Sequence, residues 1–152
     1  MKTATLEYTT DISLSVQRKS ATRFFPAIAR YALGVPLTIF GLNGFLNFLP
    51  QPEVVLPEKA LTFVTALMVS GYMMPLIAAT LLVSGALLTL NRLVPLALLL
   101  LAPFFVNSLA FHVFLESSGL PMASVFAALE LYLAWVYRAS YRPLFISRRQ
   151  TA

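Results

Sequence analysis

Few side chains in this sequence can do chemistry, and nearly all of them stand inside or beside apolar runs. Glu130 lies in ALELYLAW, the only charged residue between Glu116 and Arg138. A bare carboxylate in hydrocarbon is costly, so this group must be neutral or paired. It is either a proton-active or ligand-binding acid, or a neutral carboxyl that joins helices by hydrogen bonds. His112 is the only histidine. Ser108 and Glu116 stand four residues to either side of it, on one helical face. That set suits a proton relay or a headgroup contact, or a histidine held near an interface. Asn43 and Asn47 are four apart, and Asn107 follows Pro103 by four. An asparagine amide can bind a ligand carbonyl or bridge two helices.

Other chemistries are excluded by what the chain lacks. It has no cysteine, hence no thiolate nucleophile, disulfide relay or iron–sulfur cluster. One histidine without cysteine cannot build a structural zinc site in one chain, and no metal is expected. The net charge of +5 comes from basic residues flanking apolar runs. That placement suits anionic lipid headgroups and argues against nucleic acid as a partner.

The elements that must position these groups are membrane spans. Hydrophobic residues make up 59% of the 152, and only 11% are charged, against about 25% charged in soluble domains. The expected class is all-α, an integral membrane four-helix bundle with one extra short helix, interfacial or re-entrant, before the second span. Residues 1–26, polar and rich in Ser and Thr, read as a cytoplasmic tail. Ile12, Leu14 and Val16 hint at a short strand within it. Span one is expected over 27–49, between Pro26 and Pro50, with Arg30 snorkelling to the interface. The run after Pro57 exceeds one span and falls short of two. Ser70-Gly71 and Pro75 divide it into a short helix over 58–69 and a span over 72–90, whose Ala78, Ala79, Ser84, Gly85 and Ala86 permit close helix approach. Spans three and four follow over 94–115 and 122–141, with Pro103 expected to kink the third. The bundle domain covers 27–144, and 145–152 form a second cytoplasmic tail.

With four spans, Lys2, Arg18, Lys19, Arg23, Arg30, Arg92, Arg138, Arg142, Arg148 and Arg149 share one side, and Lys59 lies on the other. The positive-inside rule puts both termini in the cytoplasm of a multi-pass inner-membrane protein. Depth then follows from position. Asn43, Asn47, Asn107, Ser108, His112 and Glu130 all fall at the midplane or outside it. Ala123, Ala127, Ala134 and Tyr137 share the Glu130 face, which turns that carboxyl inward. The expected site is a polar pocket open to the periplasm, roofed by the 50–59 loop and the short helix, with Tyr72, Phe104, Phe111 and Tyr132 as aromatic walls. Trp135, Tyr137 and Tyr141 read as interfacial belt residues.

Several stretches resemble the DoxX family of small bacterial membrane proteins. They are GLNGF at 41–45, SGY at 70–72 with PLI at 75–77, NRLVPLAL at 91–98, LAPFFVNSLAFHVFLE at 101–116, LELYLAW at 129–135 and YRPL at 141–144. The resemblance implies a four-helix membrane bundle and an association with redox systems, including a thiosulfate:quinone oxidoreductase subunit. More distant relatives act as membrane chaperones for receptor assembly. Related sequences often carry a lysine and a glutamate just after PLI, where Ala78 and Leu81 stand here.

Three functions fit these readings. The first is an accessory or binding module whose pocket holds a small amphipathic ligand, a quinone or a lipid, or docks a redox partner. The second is a quinone-linked oxidoreductase subunit, with Glu130 and His112 exchanging protons and a second electron carrier supplied from elsewhere. The third is an assembly or scaffolding factor packing on other membrane proteins through its small-residue faces. A chain acting as a module is expected not to be an enzyme on its own. Oligomers are compatible with all three.

Overall fold

Helix breaks fall where glycine, asparagine and proline make them cheap. The computed structural model describes residues 2–50 and 55–145, and the side chains of 24–50 and 55–144. Among the described residues all regular structure is helical: α1 (Lys2–Leu46), α2 (Glu58–Val69), α3 (Met73–Thr89), α4 (Val94–Phe114), α5 (Leu120–Val136) and a C-terminal 3-10 helix (Arg138–Phe145). α1 stops at Asn47, whose φ of 47° is left-handed and tolerated by asparagine. α2 starts after Pro57 with Glu58 in its first turn, an acid at the positive end of the helix dipole. Gly71, at φ +75°, turns the chain through 88° into α3. Asn91 and Leu93, both at positive φ, form the turn into α4, whose first turn holds Pro95.

The helices expected over 58–69, 72–90 and 94–115 are thus present to within one residue at each end. Residues 2–26 are helical and continuous with the first apolar run, since α1 starts at Lys2. Two readings need correction. The hinted strand at Ile12, Leu14 and Val16 is helix. Three alternating residues have no sheet to join, and no glycine or proline interrupts residues 2–25. The fourth span is not one helix over 122–141. It starts at Leu120 and ends at Val136, and the 3-10 helix leaves it at 71°. The side chains of 1–23, the residues 51–54 and the tail beyond Phe145 lie outside the described set.

Small residues set the closest approach, which is between α1 and α3. A Cβ on Gly41 would run into the backbone of Leu82 and Ala78. One on Gly85 would sit 2.7 Å from the Thr38 hydroxyl and 2.9 Å from the Gly34 carbonyl. Backbones this near gain dispersion along their whole contact, the usual basis of helix association in lipid. α4 and α5 complete the bundle, and Leu33, Leu88, Leu101 and Leu133 meet fully buried at its centre. The outside is apolar too: Val106, Phe114, Leu131 and Trp135 are all exposed. So many exposed large apolar side chains are the mark of contact with lipid or another protein. Phe24–Leu46 and Val94–Phe114 are each long and apolar enough to cross a membrane. Up to four crossings result if each bent pair, α2 with α3 and α5 with the 3-10 helix, counts as one.

The alternation of chain direction gives the bundle two ends. One carries α2, the end of α4 and the start of α5. The other carries the α3–α4 turn and the 3-10 helix. Arg30 belongs to this second end. It is buried, with one guanidinium nitrogen donating to the Asn91 side-chain oxygen and the group lying 5.2 Å over the Tyr31 ring. It pins α1 to the α3–α4 turn instead of snorkelling outward.

Candidate functional site

The six polar residues singled out above occupy three separate places. Asn107 and Ser108 line a groove of about 450 Å³ between α2, α3 and α4. Bending α2 away from α3 creates it, because Phe63, Val64 and Leu67 then form a wall facing α4. Phe63 meets Phe111 at 5.8 Å between ring centroids, and Phe104 lies deeper along the same wall. Met73, Met74 and Ile77 supply the α3 side. The one hydroxyl of that side, on Thr80, donates to the Leu76 carbonyl at 2.9 Å. Asn107 is exposed at the groove surface, which leaves its amide free for a ligand. The arrangement is an apolar, aromatic trough with the Asn107 amide and the Ser108 hydroxyl as its hydrogen-bonding groups.

Next to it stands a closed polar corner joining α4 to α5. His112 Nδ1 lies 2.9 Å from the Glu116 carbonyl oxygen and 3.0 Å from its Oε2. Both partners accept, so the ring proton sits on Nδ1. Glu116 Oε1 accepts from the Ser118 N–H at 2.7 Å, and Oε2 from the Gly119 N–H at 3.2 Å. The carboxylate thereby caps the turn that opens α5. These bonds, from Ser118 first and then from Gly119 and His112, pull the Glu116 carboxyl down from 4.5 to about 2. A Cβ on Gly119 would sit 2.2 Å from the His112 ring, which would have to shift to admit it. Behind the corner a cavity of about 260 Å³, lined by His112 and Gly119, shares Ser108 and Phe104 with the groove. Asn107, Ser108 and His112 are therefore neighbours.

Glu130 is elsewhere. It is 7% exposed and lines a third cavity, of about 340 Å³, towards the end that carries the 3-10 helix. Leu98, Leu99, Ala102, Val106 and Leu131 form most of the wall. Tyr141 lines it as well, and its hydroxyl donates to the Pro95 carbonyl at 3.1 Å. Tyr141 is thus a wall and a tie to α4, beyond the belt role read for it, while Trp135 remains exposed with Arg138 stacked 4.6 Å over its ring.

Asn43 and Asn47 end a helix. The Asn47 N–H donates to the Asn43 carbonyl at 2.8 Å, and the Leu49 N–H donates to Asn43 Oδ1 at 2.7 Å. Neither lines the groove or the two cavities. The same holds for Tyr72 and Tyr132, while Phe104 and Phe111 do form groove wall. Phe63 and Gly119 join the site without being among the residues singled out from the sequence. Phe63 has no sequence signal beyond its place in the short helix. For Gly119 a signal existed in Glu116-Ser-Ser-Gly119, an acid three residues before a helix start. No cluster of three or more His, Asp or Glu among the described residues could hold a metal ion. No family model, no curated protein and no solved structure matches the chain.

Proposed function

We propose that this chain is a bacterial inner-membrane binding module that holds a small amphipathic molecule in the groove between α2, α3 and α4. One observation carries the reading: a 450 Å³ aromatic trough with an uncommitted Asn107 amide at its surface. A quinone head suits it, with a flat ring against Phe63, Phe104 and Phe111 and a carbonyl accepting from the amide. The isoprenoid tail of such a molecule would run out into lipid. The stretches similar to DoxX proteins, with their redox associations, favour a quinone over a phospholipid. In this reading the bundle crosses the bilayer four times, and α2 lies at the outer face as the groove's lid. Both termini are cytoplasmic, since Arg92, Arg138 and Arg142 sit at one end and Lys59 at the other.

The test is native mass spectrometry of the full chain released from gentle detergent, with decylubiquinone added. Wild type is expected to keep a quinone adduct, and Asn107→Leu and Phe63→Ala each to weaken it by about tenfold, as for a lost hydrogen bond or stacking contact. Equal adduct in all three would remove the groove as the site. An assembly role would then be the better reading.

A further inference from the structure

The Glu130 cavity differs from the groove in what it asks of an occupant. Glu130 is more than nine-tenths buried, and no hydrogen bond from another described residue reaches its carboxyl. It faces an apolar space of about 340 Å³. The only other polar side chain on that wall is Tyr141. Its proton is already committed to the Pro95 carbonyl, so its oxygen has only lone pairs left to offer. The cavity's two polar side chains are thus both acceptors when the carboxyl is ionised.

No cation among the described residues answers them. Tyr141 is the only other titratable group on the cavity wall, and α4 contributes Leu98, Leu99, Ala102 and Val106. Arg138 is turned to Trp135, donating to its carbonyl at 2.9 Å and stacking on its ring. Arg30 is engaged with Asn91. The chain's histidine pairs with Glu116.

We propose that this cavity is a second binding site, which takes a lipophilic amine, its ammonium head against Glu130 and Tyr141 and its apolar body along α4. An ammonium supplies several donors and the compensating charge at once, which a neutral headgroup cannot. The apolar body replaces lipid against Leu98, Leu99 and Val106. The inference does not rest on the groove or its ligand, since the groove and this cavity have no lining residue in common.

The experiment uses the full chain in nanodiscs of neutral lipid, titrated with dodecylamine and, separately, with dodecanol, and read by native mass spectrometry. Wild type is expected to hold the amine at least about tenfold more tightly than the alcohol, as for a charge-assisted hydrogen bond. Glu130→Gln is expected to abolish that preference while leaving the weak alcohol binding in place. Ala102→Phe, which fills the cavity and leaves the carboxyl intact, is expected to lower binding of both. The proposal is overturned if wild type holds alcohol as tightly as amine, a result that needs no variant to fold. It is equally overturned if Glu130→Gln keeps the amine.

Discussion

Glu116, in the loop before α5, and Glu130, within α5, carry the same side chain, and the structure treats them in opposite ways. Glu116 sits at a turn and collects donors from Ser118, Gly119 and His112. Glu130 sits in mid-helix and collects none. A carboxylate that has used its lone pairs on its own chain is a structural part, because a ligand would have to displace bonds already made. A carboxyl with all its capacity unspent, in a place where lone pairs are costly, stabilises nothing by itself. The difference separates a joint from a candidate site. It also divides the bundle by end: the capped corner stands beside α2, and the open carboxyl lies towards the 3-10 helix.

The largest effect should come from breaking the corner at its tightest point. Gly119→Leu forces a side chain into the His112 ring and should cost about 1–3 kcal/mol, the usual range for overpacking. Thermal melting in detergent, followed by circular dichroism, would read it. A variant melting like wild type would show that the ring moves aside freely and that the corner is no joint.

A smaller loss should follow Glu116→Ala, with Glu116→Gln retaining part of the stability through one amide oxygen. This contribution depends on pH with a definite sign. The folded carboxyl, at about 2, lies below its ordinary 4.5. Its stabilisation is therefore complete above about 4.5 and is lost as pH falls towards 2. Wild type should lose melting temperature across that window, and Glu116→Gln should lose much less. Parallel curves for the two proteins would mean that the corner's bonds do not depend on charge.

Much of the scaffold was legible because its boundaries are written in local chemistry. Pro57, Ser70-Gly71 and Asn91 each act within a turn of themselves, and the helices change there. The close packing of α1 on α3 was half legible. Gly85 and Ala78 are visibly small in the sequence, but their partners Gly34 and Gly41 are revealed only by register between helices. The site was less legible for two reasons. Asn43 and Asn47, four apart, look the same in sequence as ligand groups and as a helix stop, in which the Asn43 side-chain oxygen accepts from Leu49 and Asn47 takes a positive φ. A span of 122–141, in turn, puts Glu130 at the middle. The helix starts at Leu120 and ends at Val136, so Glu130 is the eleventh of 17 residues and faces a cavity at the other end.

The smallest expected change in stability is at Glu130, and it sharpens the comparison most. Burying a carboxyl with no partner costs stability, so replacing it with an apolar side chain of similar size should cost nothing. Glu130→Leu is expected to melt at the wild-type temperature or slightly above it, a gain of no more than about 1 kcal/mol, while Glu116→Leu melts lower. Both substitutions remove one carboxyl and add one branched chain, so the contrast isolates what each carboxyl does for the fold. If Glu130→Leu proved as damaging as Glu116→Leu, the buried carboxyl would be holding helices together, and the distinction between joint and site would fail. If it is neutral, the group persists at a position where it does nothing for stability, which is the condition a binding residue is expected to meet.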